Sequence, residues 1–493
     1  MISKVLIANR GEIAVRIART LREMGIVSVA VYSDPDAGTP HVRACDEAYH
    51  LPGESSAATY LQADRLIEIA TACGADAVHP GFGFLSENAA FAEACAAAGI
   101  TFIGPSPDAI RAMGDKVVAK RMMEEAGVPV LGGWTAPAEA TADDARTEAE
   151  SIGYPVLVKA AAGGGGKGMR VVHDPSEMDE AFESAKREAK AAFGDDRVFL
   201  ERYVERARHI EFQIFGDTHG AVTHLGEREC SIQRRHQKII EEAPSPGVTD
   251  EIRSAMGDAA VKAAAALGYT GAGTVEFMLE ESGAFFFLEV NTRLQVEHPV
   301  TELTRGVDLV RAQVLVAAGE PMPFDEASRV PHGHAFECRI YAEDAARDFM
   351  PSTGVIHGYD APAGPNIRVD SGVTQGTEVS VHYDPMLSKL IVWGSTRDEA
   401  LERMRTALRE YVVLGVTTNL VFLERVMDHA AFRSGDLHTR FLEEHAIDAA
   451  ECEIQDVQLI AAALGAMERT TTSGVAESSS WPGPWTSHAW RVG

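Results

Sequence analysis

Between Phe285 and Glu297 the chain reads F-F-F-L-E-V-N-T-R-L-Q-V-E, which sets Glu289, Asn291, Arg293, Gln295 and Glu297 at every second position. Side chains alternate across a strand, so an extended stretch here carries all five polar groups on one face and Leu288, Val290, Leu294 and Val296 on the other. Glu and Asn suit a hard cation such as Mg²⁺. An arginine followed by a second carboxylate suits a small oxyanion and the base that must activate it. A solvated surface strand shows the same alternation, so the rest of the chain decides between the two.

The elements needed to position such a face are visible nearby. Thr274 to Leu279 and Phe285 to Val290 flank Glu280-Glu281-Ser282-Gly283 and predict a hairpin that brings Glu276 opposite Glu289. Two carboxylates placed together call for a cation between them. In the first hundred residues, strands at Val5–Ala8, Val27–Tyr32, Ala75–His79 and Thr101–Ile103 alternate with helical segments, a βαβ rhythm. The first helix begins after Gly11-Glu12, carries Ile13, Ile17, Leu21 and Met24 on one face, and stops at Gly25, a residue suited to a left-handed cap. Open parallel sheets bind ligands beyond the carboxyl ends of their strands, where Asn9-Arg10-Gly11-Glu12 and Pro80-Gly81-Phe82-Gly83-Phe84 fall.

After the strand Val156–Lys159 comes Gly163-Gly164-Gly165-Gly166-Lys167-Gly168. Gly163, Gly165 and Gly168 satisfy G-x-G-x-x-G, but the chain then continues as a strand, Met169-Arg170-Val171-Val172, where the dinucleotide fingerprint requires a helix. A Walker A loop fails as well, since Gly168 follows Lys167 where Ser or Thr should bind the metal. What remains is a glycine hairpin whose N–H groups can close on phosphates, read as a mobile lid, or else a plain mobile turn. From residue 331 a third, α+β unit is expected, opening with the alternating run His334–Tyr341, with strands near 368, 378 and 389 and helices at 397–411 and 418–429.

A chain of 493 residues holds three or four domains of ordinary size, and 45% hydrophobic with 24% charged residues is a globular composition. The net charge of −28 repels polyanions and argues against nucleic acid or an anionic membrane as partner. No apolar run spans a bilayer and no signal peptide opens the chain, so a cytoplasmic location is expected. Cys45, Cys73, Cys95, Cys230, Cys338 and Cys452 show neither C-x-x-C nor zinc spacing and are expected to be reduced packing residues.

Taken together these segments resemble the biotin carboxylase component of biotin-dependent carboxylases, in the ATP-grasp superfamily. The resemblance rests on Ile7-Ala8-Asn9-Arg10-Gly11-Glu12-Ile13-Ala14, His79-Pro80-Gly81-Phe82-Gly83-Phe84-Leu85-Ser86-Glu87-Asn88, Met113-Gly114-Asp115-Lys116, Gln233-Arg234-Arg235-His236-Gln237-Lys238 and the ordered run Glu289 to Glu302. Tyr383 to Leu390 adds a C-terminal match. It implies a fold that is α/β and α+β: a Rossmann-like parallel sheet over 1–114, an ATP-grasp domain over 115–330 with a glycine-rich lid at about 131–204, an α+β domain over 331–446, and a linker opening a further domain at 447–493.

The resemblance further implies that Lys116, Lys159 and the lid glycines Gly164, Gly165 and Gly166 meet the ATP phosphates. Glu201 and the backbone around Arg202 and Val204 would border the adenine, Met278 would contact the ATP, and His209, Gln233 and His236 would meet the ribose and phosphates. Glu276, Glu289 and Asn291 would hold two Mg²⁺ or Mn²⁺ ions. Lys238, Arg293, Gln295 and Val296 would grip bicarbonate, with Glu297 as the base. Arg339 would stabilise the ureido oxygen of biotin, beside Phe82. The chain departs from the family at Phe82, where relatives often have Tyr, which keeps the aromatic contact and loses a hydroxyl, and at Ala161-Ala162, where some have Ser-Gly.

The expected activity is that of an ATP-dependent C–N ligase that carboxylates carrier-bound biotin through carboxyphosphate, as the first half-reaction of an acyl-CoA carboxylase. Pyruvate carboxylase is the alternative parent. A sister ATP-grasp ligase would share the lysines and metal carboxylates but needs neither Arg339 nor the Pro80–Asn88 motif, and a catalytically silent scaffold would not need every metal and bicarbonate position filled. No Met-Lys-Met biotinylation motif occurs, so the carrier domain is expected elsewhere, in a larger complex with the carboxyltransferase (beta) subunit, this chain being present in several copies. Three of the five tryptophans, Trp481, Trp485 and Trp490, follow a Thr/Ser-rich linker and read as the start of another domain, as in a truncated α chain.

Overall fold

Short apolar, β-branched runs with no polar alternation must be buried on both faces, and the three inner N-terminal strands obey this. β1 (Lys4–Ile7), β2 (Val27–Tyr32), β3 (Glu47–His50), β4 (Ala77–His79) and β5 (Thr101–Phe102) form a parallel sheet in the order β3-β2-β1-β4-β5. α1 (Gly11–Glu23) seats Ile13, Ile17 and Leu21 against Val5 and Ile7, and Gly25 takes the left-handed conformation just beyond it, at φ 70°. The helix starts at Gly11 itself, so the loop after β1 is only Ala8-Asn9-Arg10. Asn9 Nδ2 donates to the carbonyls of Pro80 and Phe82, each at 2.7 Å, and ties the loops after β1 and β4 together.

The computed structural model describes residues 2–448 except Ala138, residues 161–168, Asp195, His236 and Glu326. The expected lid glycines Gly164, Gly165 and Gly166, the expected phosphate contact His236 and the tryptophan-bearing tail lie outside the described residues. The strands that flank the lid are β6 (Gly133–Thr135), β7 (Val156–Ala160), β8 (Arg170–Val172) and β9 (Val198–Arg202), antiparallel in the order β6-β9-β7-β8. Val156, Val158, Phe182 and Leu200 form the core beneath them.

The site rests on a larger antiparallel sheet built from β10 (Ala207–Gly216), β11 (Val222–Arg234), β12 (Gln237–Ala243), β13 (Gly271–Glu280), β14 (Phe285–Asn291), β15 (His334–Tyr341), β16 (Ile367–Ser371) and β17 (Met386–Gly394). Its order is β14-β13-β10-β11-β12-β15-β17-β16, so the strands after residue 331 extend the same sheet. All of β15 is buried, because this strand lies inside the sheet and both of its faces are covered. Phe277, at 0% exposure, packs edge-on to Phe212 and Phe285 directly behind Glu276. Phe277→Ala is expected to lower stability by about 3–5 kcal/mol, read as a lower urea midpoint.

The hairpin forms as the spacing predicts, with Glu276 opposite Glu289 and Thr274 opposite Asn291. The strand does not run on to Glu297. It ends at Asn291, and Thr292 to Glu297 form an irregular passage into α4 (His298–Arg305), counting α2 (Ala89–Ala97) and α3 (Asp250–Ala266) before it. Two local causes are visible. The Thr292 N–H is taken by the Glu87 carboxylate at 3.1 Å instead of by a neighbouring strand, and Pro299 in the first turn favours a helix start at His298. Glu289, Asn291, Arg293 and Gln295 still line one cavity, joined by Val296, expected on the apolar face, while the fully buried Glu297 meets it through Lys238 and Arg339.

Candidate functional site

The sheet presents a row of buried charge that begins on the hairpin. Asn291 Nδ2 donates to Glu276 Oε1 at 2.8 Å, and β10 sets Glu211 opposite Glu276 and His209 opposite Met278. His209 Nε2 lies 2.9 Å from Glu276 Oε2, while Gln233 Nε2 donates to His209 Nδ1 at 2.8 Å. Burial works to raise both hairpin carboxyls. Lys238 and His209 overcome it at Glu276 and hold that group well down, whereas burial together with the Glu276 charge keeps Glu289 above its usual value. Two facing carboxylates with an amide oxygen beside them are hard oxygen donors of the kind Mg²⁺ and Mn²⁺ prefer. A cation would relieve the strain on Glu289.

Lys238, on β12, joins this group to the next. Its Nζ donates to Glu211 at 2.5 Å, Glu276 at 2.7 Å and Glu297 at 2.9 Å. Arg339, on β15, donates through Nη2 to Glu297 at 2.8 Å and through Nε to Glu241 at 2.6 Å. Arg228, fully buried, bonds the other side of Glu211 and reaches Gln213, Thr274 and Thr301. Burial opposes ionisation of Glu297, but Lys238, Arg339 and Arg228 hold it well below the ordinary carboxylate range. Lys238, despite burial, is held well above the ordinary lysine value by Glu211, Glu276 and Glu297. Glu297 is thus an ionised acceptor with a fixed cation on either side.

Arg293 and Gln295 sit on the irregular passage. Arg293 donates to Gln295 Oε1 at 3.1 Å, to Asn291 Oδ1 at 3.3 Å and to Glu87 Oε2 at 3.0 Å. The Gln295 Nε2 group is buried without a hydrogen-bond partner among the described residues. An unsatisfied buried donor beside the Arg293 guanidinium is what a small oxyanion would fill.

A cavity of 980 Å³ lies over this row, lined by Lys116, Lys159, Val204, His209, Gln233, Lys238, Glu276, Met278, Glu289, Asn291, Arg293, Gln295, Val296 and Arg339. The Lys159 ammonium bonds Glu201 at 2.6 Å and Lys120 bonds the other oxygen at 3.0 Å. Glu201 thus enters the site through its lysines and is not part of the cavity wall. Burial lowers the Lys116 pKa, with Glu289 opposing. A second cavity of 480 Å³ is lined by Asn9, Arg10, Gly11, Phe82, Phe84, Tyr341 and Tyr383. Gln237, Arg293, Val296 and Arg339 line both, so the two cavities meet where the arginines stand.

Three family profiles match the chain: biotin carboxylase, N-terminal domain, over residues 1–110; the ATP binding domain of the carbamoyl-phosphate synthase L chain over 115–324; and the biotin carboxylase C-terminal domain over 337–444. A pyruvate carboxylase subunit from Methanothermobacter thermautotrophicus is 53% identical over 451 residues, 91% of each chain. The chain belongs to the biotin carboxylase family. The mitochondrial alpha subunit of methylcrotonoyl-CoA carboxylase from Arabidopsis thaliana is 51% identical over 449 residues, and this chain spans 61% of that relative's length. A crystal structure of the biotin carboxylase domain of 2-oxoglutarate carboxylase from Hydrogenobacter thermophilus, in complex with MgADP, ADP and bicarbonate, superposes with a TM-score of 0.88 at 46% identity, covering 92% of this chain and all of that one.

Within this biotin carboxylase fold, several residues at the heart of the site carry no motif of their own. Glu211 is two residues from His209 on β10, and Glu241 falls in Ile239-Ile240-Glu241-Glu242-Ala243, a pair of acids in the fully buried stretch of β12. Buried acids inside a sheet strand are the signal that sequence reading could have used. Arg228 gives no comparable signal, because its partner Glu211 lies 17 residues away, and Glu87, though inside the His79–Asn88 motif, gives no sign of its contact with Arg293, 206 residues on. The cysteines are packing residues as expected among those described: Cys95, Cys230 and Cys338 are buried, and burial drives the Cys230 and Cys338 thiols well above their usual pKa.

Proposed function

We propose that this biotin carboxylase family member joins CO₂ from bicarbonate to the ureido N1′ of carrier-held biotin at the expense of ATP. The observation that carries the reading is the Lys238–Glu297–Arg339 row, of which Lys238 lines the larger cavity and Arg339 lines both. The larger cavity suits a nucleotide whose phosphates meet Lys116 and Lys159, with Val204 and Met278 toward the base. Point charges on flexible stems can follow a moving γ-phosphate. Glu276, Glu289 and Asn291 would hold the divalent ions, which offset charge on the β- and γ-phosphates.

Bicarbonate fits between Arg293, Lys238, the free Gln295 amide and the Val296 backbone. Glu297 accepts its proton, and the resulting oxyanion attacks the γ-phosphorus, giving carboxyphosphate and ADP. Carboxyphosphate breaks into CO₂ and phosphate. Phosphate takes the N1′ proton of biotin, the N–C bond forms with CO₂, and Arg339 donates to the ureido oxygen as negative charge gathers there. Phe82 and Phe84 border the biotin side, where the missing hydroxyl of Phe82 removes one polar contact. Water must be kept out while carboxyphosphate exists, a task for closure over the cleft.

Chelating divalent ions is expected to abolish ADP release, and Mg²⁺ or Mn²⁺ to restore it. Glu289→Gln is expected to raise the ion concentration needed for half-maximal rate at least about tenfold, the loss already seen on removing outer-shell partners of bound metals. Unchanged metal dependence in that variant would remove Glu289 from the ion site.

The same reading puts a biotin carboxyl carrier domain at the smaller cavity, in a complex completed by a carboxyltransferase and by further copies of this chain. An acyl-CoA is our favoured final acceptor, in line with the methylcrotonoyl-CoA carboxylase relatives. The 53% identity to a pyruvate carboxylase component favours pyruvate as the second reading. Among the described residues no helix is long and apolar enough to cross a membrane. The cytoplasm is the proposed place of work. The direct test of the function is ADP release measured with and without bicarbonate and with and without free biotin.

A further inference from the structure

Glu87 takes no part in the chemistry above, yet it joins the biotin side of the site to the bicarbonate side. Its Oε1 accepts from the Thr292 N–H at 3.1 Å and its Oε2 from Arg293 Nε at 3.0 Å. One carboxylate thus holds two consecutive residues of the irregular passage, backbone and side chain together. The guanidinium it orients reaches on to Gln295 and Asn291.

The segment that carries Glu87 is the turn that borders the smaller cavity. Gly81, Gly83 and Phe84 take positive φ values of 63°, 68° and 42°. That backbone is unfavourable for Phe84 and persists only where surroundings fix it. Here they do. Asn9 clamps the Pro80 and Phe82 carbonyls, Ser86 N–H bonds Gly83 at 3.0 Å, the Phe84 ring stacks on Tyr60 at 5.0 Å, and Asn88 caps α2. A turn this constrained moves as a piece, so pressure at Phe82 or Phe84 reaches Glu87 and, through it, Arg293.

We propose that Glu87 is a positioning residue that couples occupancy of the biotin cavity to the grip of Arg293 on bicarbonate. The inference rests on the proposed function and adds a device by which biotin stimulates ATP cleavage. Glu87 is 43% exposed at its side chain, so a simple surface ion pair would contribute little to stability. Its effect is expected in substrate coupling, where a small displacement of an anion-binding group is costly.

The test compares the natural chain with Glu87→Gln, measuring ADP release against bicarbonate and against MgATP, each with and without free biotin. In Glu87→Gln the bicarbonate KM is expected to rise about tenfold and the stimulation by biotin to fall about tenfold, while the MgATP KM stays within about twofold. Unchanged bicarbonate KM and biotin stimulation would overturn the proposal. So would a parallel fall of all rates with a shifted MgATP KM, the mark of a merely structural role. If Glu87→Gln does not fold, Glu87→Asp, which keeps the charge one methylene back, is judged by the same two ratios. A natural chain that shows no biotin-stimulated, bicarbonate-dependent ADP release would instead refute the proposed function itself.

Discussion

Glu297→Gln is expected to cut bicarbonate-dependent ADP release by about 10²–10⁴-fold, the range that a positioned general base contributes. Arg339→Ala is expected to cut the biotin-stimulated rate by about 10²–10³-fold, as the loss of a donor to developing negative charge does. Both should still bind MgATP, because neither side chain reaches the lysines at the other end of the cavity. The two are separable. In the proposed mechanism the base is needed before any ADP forms, whereas Arg339 acts on biotin, so bicarbonate-dependent cleavage without biotin should fall more in Glu297→Gln. Biotin carboxylation at the natural rate in Arg339→Ala would refute the role given to that residue.

The pH dependence of stability follows from the same geometry. Burial opposes ionisation of Glu297, but its cationic neighbours hold its folded pKa well below the unfolded value of about 4.3. Its contribution is therefore present above that unfolded value and is lost as pH falls through the folded one. Thermal unfolding of the natural chain and of Glu297→Gln should differ most at neutral pH and converge under strongly acidic conditions.

The second large effect belongs to Lys238. Removing it as Lys238→Met leaves Glu211, Glu276 and Glu297 facing one another in a buried site, and breaking a buried ion pair from one side costs about 3–5 kcal/mol. The folded pKa of Lys238 is raised, so its contribution is complete below the unfolded value of about 10.4 and is lost only as pH rises through the folded one. Working pH does not discharge it. Urea unfolding should show a lower midpoint for Lys238→Met, partly recovered in Lys238→Met/Glu211→Gln, where one of the three acidic charges that lost Lys238 is gone. A variant as stable as the natural chain would contradict the charge balance described for the site.

Much of this arrangement was legible in the sequence because its residues are local. The Glu276–Glu289 pairing follows from a hairpin with a short turn, α1 and its Gly25 stop from helical spacing, and the ligand-facing loops from the βαβ rhythm. The expectation of one continuous polar strand face failed at Thr292, since the contact that ends the strand comes from Glu87, more than 200 residues away in sequence. The extension of the sheet through β15, β17 and β16 was hidden for the same reason: pairing between β12 and β15 joins segments that local patterning treats separately. Glu211, Glu241 and Arg228 matter through partners across the sheet, which alternation alone does not reveal.

In the proposed mechanism the buried Lys238–Glu297–Arg339 row activates bicarbonate for transfer to biotin. The most direct measurement follows isotopically labelled bicarbonate into acid-labile carboxybiotin while counting ADP. We predict one labelled carboxyl group per ADP in the natural chain with MgATP and free biotin, and both products reduced by about 10²–10⁴-fold in Glu297→Gln. ADP formed without label in biotin, or labelled biotin formed at the natural rate by Glu297→Gln, would contradict it.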